Sequence, residues 1–243
     1  MTKLAEYVAI VQSMVREANG ALHFNMGEPI YQSFIRRALR RYSIDRPDEK
    51  VAAITGTASQ YITVNSSNLP NFIEDFSKVI SIEAIAPTIA SNEDPNYIER
   101  DEWDFYRDDS AYRIFLKNCT PSTNDTIRVH YTVLHTINEL DSATTDTVPE
   151  PDREAIIYWA INEAFLSLAG KYAGTSDPTI RQDIVNYRTK SSDMIRLASE
   201  YRKMYMEWIS EPIKPASVIR DIDFGFGFGD SQSFQTHRSF SRN

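Results

Sequence analysis

The sequence is poor in the residues that usually announce a chemistry. It has one cysteine, Cys119, among 243 residues. No intrachain disulfide can form, and a reducing cytoplasm is the expected folding compartment. Basic residues are in the minority, 26 against 34 acidic, for a net charge of −8. A tightly held nucleic acid needs a basic face, so this balance argues against one, though not against DNA passing close by without sticking. Long apolar runs are missing as well. The most apolar stretch, residues 155–170, is broken by Asn162 and Glu163, so no segment reads as membrane-spanning. The N-terminal stretch carries Lys3, Glu6, Arg16 and Glu17 on an amphipathic pattern, which is not that of a signal peptide.

Signatures of catalysis are equally scarce. Gly56-Thr57-Ala58-Ser59 follows a strand-like run but has neither the glycines nor the lysine of a phosphate loop. There is no Gly-x-Ser-x-Gly elbow and no His-Glu-x-x-His pair. Cys119 has no evident histidine partner. The histidines, His23, His130, His135 and His237, are scattered. His130 and His135 fall on opposite faces of one expected strand, which excludes a joint metal site and favours a surface or edge position for each. An acidic stretch holds Glu93, Asp94, Glu99, Asp101, Glu102, Asp104, Asp108 and Asp109. It lacks the ordered ligand spacing and glycine of a calcium loop, and a carboxylate pair for hydrolysis needs rigid cleft walls. The expectation is a solvated loop pinned by Trp103. No catalytic, cofactor-binding or metal-binding residue is expected, and the protein is not expected to be an enzyme.

What is present is a globular composition, 42% hydrophobic with 12% aromatic residues, and a long helical pattern. Over residues 180–208, steps of four and three pick out Ile180, Ile184, Tyr187, Ser191, Met194, Ala198, Tyr201, Tyr205 and Trp208. This is a heptad seam with one polar member. Asp177-Pro178 opens it and Pro212 closes it. A helix of that length spans roughly 45 Å and needs a partner along all of it. The aromatic members, Tyr187, Tyr201, Tyr205 and Trp208, favour a subunit contact; a long helix within a single-chain bundle is the alternative.

The remaining chain reads as helices flanking a β region. Residues 2–18 form a helix with Leu4, Val8, Val11 and Val15 in one stripe. A second runs over 29–42, with Pro29 in its first turn and Tyr31, Phe34, Ile35, Ala38 and Leu39 inward. Its other side carries Arg36, Arg37, Arg40 and Arg41, which suit phosphates, acidic residues of a neighbouring subunit, or solvent. Strand-like runs follow at 51–55, 60–64 and 78–84, with a turn and short helix at 69–76. In the third run, Ile80, Ile82 and Ala84 are expected to share a face. Residues 111–117 and 126–135 alternate cleanly and read as an antiparallel hairpin. Residues 140–150 read as unstructured. A third helix, 152–172, carries Ile157, Ala160, Ile161, Ala164, Phe165 and Leu168 on one stripe, with Ala160, Ala164 and Gly170 small enough for the long helix to lie close. After Pro212 the chain holds Phe224-Gly225-Phe226-Gly227-Phe228-Gly229, then Phe234 and Phe240, in a polar background. Such a segment cannot build a core, and its phenylalanines suit pockets on a partner.

These readings give an α+β fold: a helical bundle with an inserted antiparallel β-sheet or sandwich and an extended C-terminal tail. The expected division is N-terminal bundle helices at 1–45, β region with the acidic loop at 46–147, helical hairpin at 148–211 and partner-binding tail at 212–243.

Three short runs carry a resemblance. They are the strand Asn124-Asp125-Thr126-Ile127-Arg128-Val129-His130-Tyr131-Thr132, then Val148-Pro149-Glu150-Pro151, then Ile156-Ile157-Tyr158-Trp159-Ala160. With the upstream Ala38-Leu39-Arg40-Arg41-Tyr42-Ser43 and the order of elements, residues 29–172 resemble the head–tail adaptor (connector, or gatekeeper) proteins of tailed bacteriophages. The long helix and the tail match in layout. The resemblance implies a ring, typically of twelve copies, beneath the portal of a DNA-filled capsid, in the neck of a virion built in the host cytoplasm. Its partners would be copies of itself, the portal protein and tail or nozzle proteins. Viral DNA would pass through without specific binding, and no membrane or cofactor is implied. The portal-binding role falls by layout on 213–243, with Phe224, Phe226, Phe228, Phe234 and Phe240 as contacts. The ring contact falls on Arg36, Arg37, Arg40 and Arg41 and the seam aromatics. A nucleic-acid-binding module using the same arginines is the alternative, and a hydrolase using the acidic stretch a third reading.

Overall fold

The computed structural model describes residues 3–19, 27–84, 96–109, 111–174 and 187–210. They lie within one compact unit, Met1–Ser210. Its helices are α1 (Lys3–Asn19), α2 (Glu28–Asp45), α3 (Arg153–Gly174) and α4 (Tyr187–Ser210). Between α2 and α3 the described residues form seven strands: β1 (Asp48–Thr55), β2 (Tyr61–Thr63), β3 (Val79–Glu83), β4 (Tyr97–Ile98), β5 (Trp103–Arg107), β6 (Tyr112–Leu116) and β7 (Thr126–Val133). The fold is α+β, a helical bundle with antiparallel sheets inserted into it.

The helices form where the apolar period is 3.6 and end where a backbone group finds another partner. The α2 helix starts after Gly27, whose extended backbone (φ −69°, ψ 160°) precedes Pro29 in the first turn. It runs three residues beyond the expected end and closes where the Arg46 N–H donates to the Tyr42 carbonyl at 2.7 Å. The inward residues of all four helices meet in one core, with α3 touching each of the others. The expected α3 stripe is buried in full, joined by Ala155, Ile156, Ala169 and Tyr172. Gly170 plays no part in close packing, because its Cβ position faces open space.

The strands divide between two sheets, in the orders β1-β7-β3-β4 and β2-β6-β5, all neighbours antiparallel. Both sheets contribute to a second core: Ile54, Ile82, Val129 and Tyr131 from the first, Ile62, Trp103, Ile114 and Leu116 from the second. The expected β6–β7 hairpin is therefore incorrect. The two strands belong to different sheets, and residues 118–125 cross between them. That crossover is stitched to the end of β1, where the Gly56 N–H donates to the Asp125 carbonyl and the Ala58 N–H to the Pro121 carbonyl, both at 2.9 Å.

Other expectations also need correction. The acidic stretch is not all loop: residues 103–107 form β5, paired with β6 from Trp103↔Leu116 to Arg107↔Tyr112, while Glu99, Asp101, Asp104 and Asp109 are exposed and Glu93 and Asp94 lie outside the described residues. Trp103 is buried as the pin, with the Arg100 guanidinium stacked over its ring at 4.0 Å. Residues 69–76 make turns without a helix. In β3 a register shift between Val79 and Ser81 turns Ile80 out to solvent and leaves Glu83 buried against Arg128. Residues 140–150 are ordered: Leu140 and Val148 insert into the helical core, and the non-glycine residues Glu139, Asp141 and Ser142 hold positive φ. Asp141 is clamped there by three hydrogen bonds from Arg36.

Two glycines give a paired test. A methyl at Gly56 would sit 2.0 Å from the Ser122 carbonyl oxygen, a backbone atom. Gly56→Ala is expected to lower the thermal midpoint clearly. Gly170→Ala, in an exposed helical position, is expected to leave it unchanged or raise stability by about 0.5–1 kcal/mol. Thermal melts of the two variants check both.

Candidate assembly surfaces and the buried polar node

The long seam finds its partner inside the chain. From Ser191 onward it lies along α3, running antiparallel. The one polar member, Ser191, donates its hydroxyl hydrogen bond to the Ala169 carbonyl at 3.0 Å. Met194 and Ala198 are buried. Tyr201 packs between Phe165 and Tyr158, at ring distances of 5.8 and 6.2 Å. Tyr205 meets Trp159 edge-on at 4.8 Å, and Trp208 meets Tyr158 edge-on at 6.5 Å. Tyr205 is 0% exposed. The reading of Tyr205 as a subunit contact is corrected accordingly, because it is internal; Tyr201 and Trp208 are half-buried, with one side of each ring against α3. The Tyr187 side chain, Ile180, Ile184 and all five tail phenylalanines (Phe224, Phe226, Phe228, Phe234, Phe240) lie outside the described residues.

The polar tips of these aromatics converge on a group that the periodicity does not reveal. Asp152, just ahead of α3, accepts from the Tyr42 hydroxyl at 2.5 Å, the Trp208 indole N–H at 3.1 Å and the Arg46 Nη1 at 3.0 and 3.1 Å. Arg46 Nη2 reaches on to the Trp208 and Ile209 carbonyls at the end of α4, at 3.4 and 3.3 Å. Nearby, Tyr205 donates to Asp45 at 2.6 Å. Burial pushes the Asp152 carboxyl up, but the hydrogen bonds from Tyr42, Trp208 and Arg46 outweigh it and hold the group below its ordinary range. Burial, reinforced by a carboxylate acceptor, raises both Tyr42 and Tyr205.

His135 closes the node from the β side, and it is buried rather than at a surface or edge. Its N–H donates to Ser43 Oγ at 3.0 Å. Its Nε2 lies 3.0 Å from the Arg46 carbonyl, and its Nδ1 lies 3.0 Å from Thr147 Oγ1. Nδ1 also lies 3.1 Å from the Thr147 carbonyl. A neutral ring donates from Nε2 and takes the threonine hydroxyl at Nδ1, while the two carbonyls favour the protonated ring and work against burial. Burial lowers its pKa below the usual 6.5, partly opposed by Asp48.

The arginine cluster is engaged within the chain. Arg36 holds Asp141, Arg37 contacts Glu163 at 3.3 Å, and Arg41 pairs with Asp45 at 2.9 Å while lying over the Trp159 ring. Arg40 is exposed and has no ion pair among the described residues. Two members of the acidic stretch are paired within the chain, Asp104 with Lys117 and Asp108 with Arg113. Among the described residues no group of three His, Cys, Asp or Glu side chains is placed to hold a metal ion. Nor is any described helix long and apolar enough to cross a membrane. A groove of about 430 Å³ opens between α1 and α3, and a smaller polar crevice of about 230 Å³ lies beside Gly56 and Asn65.

No protein-family model matches the chain, and no curated protein sequence is significantly similar to it.

Removing one partner from a buried ion pair leaves the other charge uncompensated. Asp152→Ala is expected to cost roughly 3–5 kcal/mol, read as a shift of the denaturation midpoint. The pH dependence follows from His135. Its folded pKa is depressed, so the unfolded chain binds the proton more tightly and stability falls as pH drops through about 6.5. In melts between pH 8 and 5, His135→Gln is expected to start lower and lose less on acidification.

Proposed function

We propose that this chain is a structural virion protein, a head–tail adaptor of a tailed bacteriophage. Copies join into a ring between portal and tail and wall the passage for DNA. The observation that carries the reading is how the resembling runs are used. Residues 126–132 lie in β7, a central strand of its sheet, and the Pro149-Glu150-Pro151 run leads into α3, which touches every other helix. They are consecutive parts of one framework in the order that family follows: helices, β region, proline-led helix, long helix.

The ring's partners are further copies of the chain, the portal protein and tail or nozzle proteins. The portal contact belongs to residues 213–243. A charge of −8 on each copy, repeated around a channel, repels DNA and lets it slide. No catalytic residue or cofactor has a part in this role. The nucleic-acid alternative draws less support, because Arg36, Arg37 and Arg41 already meet carboxylates of their own chain.

Mass photometry of the purified protein, alone and mixed with a portal from the same particle, tests the reading. A closed ring, or a monomer that assembles only on the portal, is expected. A monomer under both conditions would overturn it.

A further inference from the structure

We infer that the groove between α1 and α3 is the seat for the outer face of α2 from a second copy. The inference rests on the adaptor reading and supplies the ring contact that the internal α4 seam cannot. The floor of the groove is apolar: Ala9 and Ile10 from α1, Ile157 from α3. Its rim is acidic. Glu6, Glu150 and Glu154 line it with one cation, Arg153, which is shared between Glu6 at 2.8 Å and Glu150 at 2.6 Å. Glu154 is exposed and has no ion pair among the described residues. Three carboxylates against one guanidinium leave the rim net negative.

The outer face of α2 has the opposite character. Ile30, Arg37, Arg40 and Ile44 fall on one stripe, at steps of seven, three and four, and all four are exposed. Ile44 is 61% exposed, the largest value for a large apolar residue in the described chain. Arg40 lies one turn, about 6 Å, before it. Arg37 contacts Glu163 but its side chain stays 65% exposed. An isoleucine with arginines behind it on the helix matches an apolar floor with a carboxylate rim. Ile44 covers Ala9 and Ile10, the exposed part of the floor, and Arg40 meets Glu154. The matching charges also suppress wrong registers.

The stripe and the groove share no helix, and the inner side of α2 is taken up by α3 and α1. Each copy therefore offers both surfaces at once. A contact between unlike surfaces is heterologous, and it builds a ring when the rotation closes.

The test is charge reversal in the full-length protein, under the condition in which the wild type assembles. Arg40→Glu and Glu154→Arg alter exposed residues without ion pairs; only small drops in the thermal midpoint are expected, because Arg40 acts on Asp141 at a distance and Glu154 lies in the first turn of α3. Each single reversal should weaken assembly at least about tenfold in apparent Kd. The combined Arg40→Glu, Glu154→Arg protein should recover it, by mass photometry. Rings unaffected by either reversal would overturn the contact while leaving the adaptor reading intact. A wild type that never assembles would overturn both.

Discussion

The Asp152 carboxylate is the point on which the bundle turns. A buried carboxylate is tolerated only when it is paired and hydrogen-bonded. Here the donors come from the ends of two other helices: Tyr42 and the capping residue Arg46 at the end of α2, and Trp208 near the end of α4. Meeting the needs of one anion thus brings three helix ends together. Arg46 also faces the last carbonyls of α4, where the helix dipole is negative. With the helix ends fixed, α3 and α4 have no freedom of register. Ser191 must meet Ala169, and Tyr205 must meet Trp159.

The consequence for assembly is one of location. Sticky surface that a bare helix would offer to a neighbour is used up internally. Among the described residues, the exposed apolar side chains on the bundle are patchy and include Ile30 and Ile44 on α2, Ile10 in the groove between α1 and α3, Leu166 on α3, and Ile195, Met204 and Met206 on α4. With α4 packed on its own α3, a single copy can fold without a neighbour.

Much of the bundle was legible because its signal is local. The stripe at Tyr31, Phe34, Ile35, Ala38 and Leu39, and the seam at Met194, Ala198 and Tyr205, follow from helical period alone. Period could not say who covers the seam, because an internal helix and a second subunit demand the same residues. The sheet assignments failed for a related reason. Ile114 and Leu116 alternate just as Ile127 and Val129 do, and alternation gives an inward face without naming the sheet. The bonds from Gly56 and Ala58 that pull residues 118–125 across are long-range. In β5 the dense charge hid a simple alternation, with Trp103 buried and Asp104 exposed. The node was illegible in principle: Asp152 and Arg46 are 106 residues apart, and the partners of His135 come from both α2 and the lead-in to α3.

Amide hydrogen exchange on the isolated chain, at a concentration where it is monomeric, tests the central claim most directly. If the node and α3 hold α4 within each copy, amides of residues 191–208 exchange slowly in the monomer, at rates close to those of α3. Rapid exchange over 191–208 in the monomer, with protection arising only when copies associate, would contradict the account.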